Sequence, residues 1–305
     1  RGENSPLKPK IKKIHGKTQP TYPLIFMFFS TFGRMSKKKQ KTTVSEEKPG
    51  VKTAPKVKQD PLKVPPTLIR NSCIVLGLVA FVLYLNTVNH LFVLDDFSII
   101  PENSMTKRGT EALGDIFTNS YRAQFDGDEN GSYIYRPLSK AMFAIEWSIS
   151  PNNPSIHHWV NVFTYVITAV LLFLTLFKYL KTNIVIPFVA TLLYLAHPIH
   201  TEVVANIKSR DEMLSLIFLL LALLAAHKYI SGNKILDLAL VGVAFFLCML
   251  SKESSITFLA IIPLSVWFLT KADFKKVLTV GGVLAGTTVV YLLLHRSIIG
   301  SVGVD

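Results

Sequence analysis

Seven apolar runs, at about residues 69–94, 159–180, 184–199, 212–231, 235–251, 254–270 and 276–294, constrain this chain more than any other feature. Each is near the roughly 20 residues that an α-helix needs to cross a hydrocarbon core about 30 Å thick. The third and fifth are short and fit as tilted partners inside a bundle. With 50% hydrophobic and 17% charged residues in 305, the chain is too apolar for an ordinary soluble domain. The expected fold class is all-α: a polytopic, multi-pass transmembrane bundle.

Charge then orients the runs. The formal net charge of +13 is concentrated in Lys before residue 70 and lacks the aromatic interleaving of a nucleic-acid surface, so no nucleic acid is expected. Lys178–Lys181, Lys228–Lys234 and Lys271–Lys276 fall with that tail on one side, which the positive-inside rule makes the cytoplasm. The other face receives the loop 95–158, the turn 197–211, Ser251-Lys252-Glu253 and His295-Arg296, and with them almost all the remaining acids. Cys73 and Cys248 are expected near opposite faces, too far apart for a disulfide, which needs Cα atoms within about 7 Å.

Residues 1–68 read as a disordered basic tail, because they hold too few large apolar residues to offset ordering entropy. Within it, Met35-Ser36-Lys37-Lys38-Lys39 looks like the natural start, so residues 1–34 are expected to lie upstream of the native protein. The alternative is a short signal-like segment around the apolar run Leu24 to Phe32, which is too brief to span. The membrane domain is expected over 69–305.

The first outer loop, at about sixty residues, is long enough to carry structure or function. Thr110 can cap a segment with Leu113, Ile116, Phe117 and Tyr121 on one face, and Pro137 suits the first turn of a helix with Leu138, Met142, Ile145 and Ile149 on one face. Both are expected to lie along the membrane interface.

Four constellations bear on chemistry. Asp95-Asp96, directly after the first run, is more than a membrane boundary requires, and adjacent carboxylates lift one pKa towards the range useful to a base. His197-Pro198-Ile199-His200 with Glu202 is a polar turn suited to lining a site; Pro198 breaks the helical spacing on which a zinc site would rest, and no metal is expected. Ser209-Arg210-Asp211-Glu212 reads as a capping box that leaves Lys208 and Arg210 unexplained, since cations are disfavoured at a helix N-terminus. Anion binding would explain them, and would equally suit Arg136 and Lys252-Glu253. Asp126-Gly127-Asp128-Glu129-Asn130-Gly131 matches the start of a calcium loop, but Pro137 stands where the twelfth-position Glu belongs, so a solvated acidic turn is expected.

In order along the chain, Leu94-Asp95-Asp96, Tyr135-Arg136-Pro137-Leu138, Asn153-Pro154 with His157 or His158 and Asn161, Ala196-His197-Pro198-Ile199-His200-Thr201-Glu202, Ser209-Arg210-Asp211 and Lys252-Glu253 with Ile256-Thr257 resemble protein O-mannosyltransferases of the GT-C superfamily. The likeness is greatest to the transmembrane and tetratricopeptide-repeat O-mannosyltransferases and their bacterial relatives, and covers about residues 70–300. It implies a bacterial inner-membrane or endoplasmic reticulum enzyme that moves a hexose from a dolichyl- or undecaprenyl-phosphate donor to a protein acceptor. Asp95 or Asp96 would be catalytic, and Arg136, His200, Glu202, Lys208, Arg210, Asp211, Lys252 and Glu253 would line the substrate site. A divalent cation is compatible with that chemistry but not required by it. The family continues into further spans and repeats, so the chain reads as its N-terminal part, truncated at Asp305. Two rival classes are a transporter, whose polar groups belong near the bilayer midplane, and a non-catalytic membrane scaffold.

Overall fold

A computed structural model describes residues 64–125 and 133–300. The expected tail up to residue 63 and the acidic turn at 126–131 lie outside these. Among the described residues every regular element is helical, with one isolated antiparallel bridge between Asn103 and Phe125. Helix α1 (Pro66–Tyr84) continues as a 3-10 turn to Asn89; α6 is Pro154–Leu180, α9 Arg210–Gly232 and α12 Phe274–Ile299. Among the described residues these are the four helices long and apolar enough to cross a membrane. Three of the seven expected spans are shorter: α7 (Val185–Ala196), α10 (Ile235–Ser251) and the segment Glu253–Leu269, a 3-10 turn leading into α11 (Phe258–Leu269). The run at 184–199 is cut short because the chain leaves helical geometry at His197, ahead of Pro198, so α7 covers only about 18 Å at 1.5 Å per residue.

The long helices are terminated by local chemistry. In α6, Asn153 Oδ1 accepts the Ser155 N–H at 3.1 Å, Pro154 occupies the first turn, and Lys181 stops the helix in the left-handed region with φ 50°. Asn233 ends α9 in the same way, with φ 53° and its N–H donating to Tyr229 O at 2.7 Å.

Among the described residues, two apolar cores join the long helices, and two smaller ones lie in the loop region around Phe143 and Ile116. Leu76, Ala80, Val162, Tyr165, Phe173 and Leu195 join α1, α6 and α7. Ala222, Ala226, Val241, Phe245, Ile262 and Leu284 join α9 to α12. Small residues at the α9–α10 contact permit the close approach that replaces hydrophobic driving force in lipid. Large apolar side chains such as Leu78, Val82, Phe163, Leu193 and Leu293 face outward, as in a protein solvated by hydrocarbon. Cys73 and Cys248 are both free thiols.

The loop between α1 and α6 holds α2 (Asp96–Ile99), α3 (Ser104–Lys107), a 3-10 turn Gly109–Ala112, α4 (Leu113–Thr118) and α5 (Pro137–Ile149). Thr110 falls inside the 3-10 turn rather than capping a helix, and its N–H donates to Ser148 Oγ at 2.9 Å. Gly109 is required here: its φ is +65°, and a Cβ would lie 2.0 Å from Ser148 Oγ. Pro137 does open α5. That helix buries Ser139, Lys140, Phe143 and Glu146, whereas Ile145 and Ile149, on the face expected to anchor it, are 40% and 69% exposed. In a membrane protein the apolar side looks outward and the polar side is free to build an interior site.

Candidate functional site

The two adjacent carboxylates are held very differently. Leu94 adopts φ 44°, a conformation a bulky residue rarely takes, and Asp95 and Asp96 follow it at the start of a helical turn, where successive side chains point about 100° apart. Asp96 is fully buried: its Oδ2 accepts the Val93 N–H at 3.0 Å and its Oδ1 the Lys208 N–H at 2.8 Å. It thereby clasps the segment after α1 to the segment before α9. Burial raises its pKa above the usual carboxylate range, against those two bonds and His157; the neighbouring Asp95 is the smallest contribution. A raised carboxylate is expected from the acid pair, but desolvation, not carboxylate adjacency, is the main cause.

Asp95 is 53% exposed at its side chain, with Arg122 Nη2 and Lys208 Nζ each 3.7 Å away. At that distance neither cation makes a hydrogen bond with it. Its lone pairs are open to an incoming hydroxyl.

Beneath this pair lies a buried polar lattice. Arg210 is inaccessible to solvent; its Nε donates to Asn161 Oδ1 at 2.7 Å, its Nη2 to His157 O at 2.9 Å, and its Nη1 pairs with Glu146. The guanidinium also stacks over Phe143, 4.6 Å from the ring centre. The other Glu146 oxygen meets His157 Nδ1. Asn161 Nδ2 donates to Val204 O at 3.2 Å and Asn206 O at 3.1 Å. Thus α5, α6 and the start of α9 fix the 204–208 segment, which in turn fixes Asp96. A buried charge left unpaired would cost several kcal/mol, and here Arg210 and Glu146 are both paired, while His157 Nε2 on the same lattice has no partner among the described residues. The position of Arg210 at a helix N-terminus is explained by Glu146 and not by an external anion.

The other cations expected to bind an anion are also paired internally. Arg136 Nη1 meets Asp211 at 2.6 Å and its Nε meets Glu253 at 2.9 Å, while the Tyr135 N–H donates to the second Glu253 oxygen at 2.5 Å. Lys252 pairs with Glu212, and burial lowers its pKa. The capping box does not form: Ser209 caps no amide through its side chain, and Glu212 reaches instead to Lys252, which follows α10. His200, in α8 (His200–Val204), packs its ring 4.1 Å from that of Tyr194, and burial lowers its pKa. Glu202 is exposed on the same short helix and, among the described residues, neither it nor His200 has an ion pair or hydrogen bond to Asp95. No group of three or more His, Cys, Asp or Glu among the described residues could hold a metal ion.

Sequence reasoning missed three residues. Arg122 was hidden in a loop without periodicity. Glu146 carried a usable signal, as a lone acid within an apolar helix. Lys140, fully buried on the same face, donates to Ala123 O at 3.3 Å, and desolvation lowers its pKa to about 7.

Fold and site together define an all-α membrane protein with a polar centre at one end of its helices. Its similarities are to O-mannosyltransferases of animals. The chain is 32% identical to human protein O-mannosyl-transferase TMTC1 over 154 residues, 50% of this chain and 17% of that protein. It is 31% identical to Drosophila melanogaster protein O-mannosyl-transferase Tmtc1 over 178 residues, covering 58% and 20%. Human protein O-mannosyl-transferase TMTC3 is 30% identical over 181 residues, with the same coverage. The likeness to the transmembrane and tetratricopeptide-repeat O-mannosyltransferases therefore holds, over a fifth or less of those relatives' length. No family model and no solved structure matches the chain.

Proposed function

We propose that this chain carries the catalytic end of a multi-pass membrane glycosyltransferase. The reaction is transfer of a hexose, mannose by similarity to the relatives, from a polyprenyl phosphate to a protein hydroxyl on the outer or lumenal face. Residues 69–305 form the membrane part and the basic stretch before them a cytoplasmic tail. The observation that carries the reading is Asp95, half-exposed at the helix ends with Arg122 and Lys208 each 3.7 Å away.

In this reading Asp95 takes the proton of the acceptor hydroxyl as its oxygen attacks the anomeric carbon. The new C–O bond forms as the bond to the phosphate oxygen breaks with its electron pair, so the anomeric configuration inverts. Lys208 and Arg122, drawn from Asp95 towards the donor, meet the charge that develops on the departing phosphate. Asp96 orients the loop, and Arg210, Arg136 and Lys252 act as positioning residues, since their charges are balanced by Glu146, by Asp211 with Glu253, and by Glu212. His200 and Glu202 remain candidates for the acceptor side.

The test is transfer of labelled mannose from dolichyl phosphate mannose to acceptor protein, by membranes bearing the full-length protein. Incorporation is expected, and Arg122→Gln with Lys208→Gln is expected to raise the donor KM as well as lower kcat, because a phosphate is charged before and after transfer. Transfer kinetics unchanged by both substitutions would remove this assignment.

A further inference from the structure

A groove of about 890 Å³ opens between α9 and α10 beside the end of α6, at the opposite end of the bundle from Asp95. That volume is within the range of small-molecule sites, about 300–1,000 Å³. Its walls are apolar, with Leu221, Leu240 and Val243 left 38%, 45% and 56% exposed. Its mouth carries Lys178, Lys228 and Lys234 together with His227 and Asp237. Among the described residues none of these three lysines, nor Asp237, forms an ion pair. This contrasts with the other end, where most cations are matched by a carboxylate. From Phe218 at the inner end to Lys228 at the mouth, α9 rises about 15 Å, half of a hydrocarbon core about 30 Å thick. The groove is therefore one leaflet deep, with its unmatched cations at headgroup depth.

We propose that this groove binds an anionic glycerophospholipid of the leaflet opposite the Asp95 site. An acyl chain lies along Leu221, Leu240 and Val243, and the phosphate sits between Lys178, Lys228 and Lys234. Basic pockets between membrane helices recognise anionic headgroups in this way, each lysine strengthening binding roughly fivefold. Asp237 offsets one of the three cations, and the remaining positive charge sets the preference for an anion. The inference is independent of the transferase reading, because it uses no residue of that site.

The experiment is native mass spectrometry of the full chain in detergent, offered palmitoyl-oleoyl phosphatidylglycerol and the phosphatidylcholine with the same chains at equal concentration. Retention of phosphatidylglycerol should exceed that of phosphatidylcholine about tenfold or more. Joint replacement of Lys178→Gln, Lys228→Gln and Lys234→Gln should bring the two to parity, whereas Lys271→Gln with Lys275→Gln should leave the preference intact. Val243→Trp, which fills the groove from its exposed side, should reduce retention of both lipids. Parity in the unsubstituted protein would overturn the proposal without any variant. So would an undiminished preference in the triple variant, equal loss in the Lys271 and Lys275 control, or unchanged retention in Val243→Trp.

Discussion

Asp95 and Asp96 are adjacent and chemically identical, yet Asp95 faces solvent between two cations and Asp96 is buried against two backbone amides. Asp95→Asn is nearly isosteric and removes the proton acceptor, so turnover should fall by about two to four orders of magnitude with membrane insertion and thermal stability unchanged. Labelled-sugar transfer by well-inserted protein checks this; near-normal turnover would leave Asp95 a surface charge. Asp96→Asn should behave oppositely. Its one carbonyl oxygen replaces two acceptors, leaving a buried N–H without a partner at about 1–3 kcal/mol, which thermal unfolding in detergent would show as a lower Tm. Lys140 gives the residue scale its pH dependence. Its pKa is lowered from 10.5 to about 7 in the folded chain, so between those values the unfolded chain holds the extra proton and stability rises with pH. Stability is fully gained above about pH 10.5 and lost as pH falls through about 7. Lys140→Met should therefore raise Tm more at pH 6 than at pH 9; an equal gain at both would mean that Lys140 is charged throughout.

At the scale of elements, α5 shows what apolar periodicity can and cannot reveal. The sequence supplied its start at Pro137 and its apolar stripe through Ile145 and Ile149, but the usual inference that the stripe packs inward inverts when the surroundings are lipid. The inward face was legible instead in its polar residues, Lys140 and Glu146. Similarly, Ser209 and Glu212 have capping-box spacing, yet Lys252 on another connection competes for Glu212, and spacing along one helix says nothing of that cation. Asp95, Asp96 and Lys208 were found because they flank apolar runs, whereas Arg122 lies in a turn without periodicity that is anchored by tertiary contacts such as Lys140 to Ala123 O. The lattice around Glu146 gives this scale its prediction. Glu146→Leu strands Arg210 with a buried charge and should destabilise by about 3–5 kcal/mol, while adding Arg210→Met should recover much of the loss, because an apolar pair replaces a buried ion pair at little cost. A double variant no more stable than the single would show that Asn161 and the His157 carbonyl, rather than Glu146, balance the guanidinium.

Over the described helix bundle, the arrangement is polar at both ends and apolar between, but the two ends differ in kind. The Asp95 end combines acids and bases in matched pairs, and the Lys178 end presents unmatched lysines. A transporter would hold its polar groups near the middle of the helices, whereas Glu146, Arg210 and Asn161 cluster where α5, α6 and α9 meet at one end. Helix α9 connects the two ends in 23 residues, about 34 Å, enough to cross a bilayer once. If it does so, Thr201, exposed just before α9, and Ser231, exposed in its last turn, face opposite compartments. Single cysteines at these positions test the point in a Cys73→Ser background, since Cys248 is fully buried and should not react. In sealed vesicles of cytoplasm-inside orientation, a membrane-impermeant maleimide should label Thr201→Cys directly and Ser231→Cys only after permeabilisation, as the lysine excess beside Ser231 requires under the positive-inside rule. The reverse order would invert the bundle and carry the Asp95 centre to the cytoplasmic face. Labelling of both without permeabilisation would mean that α9 does not cross, and the membrane topology built on it would fall.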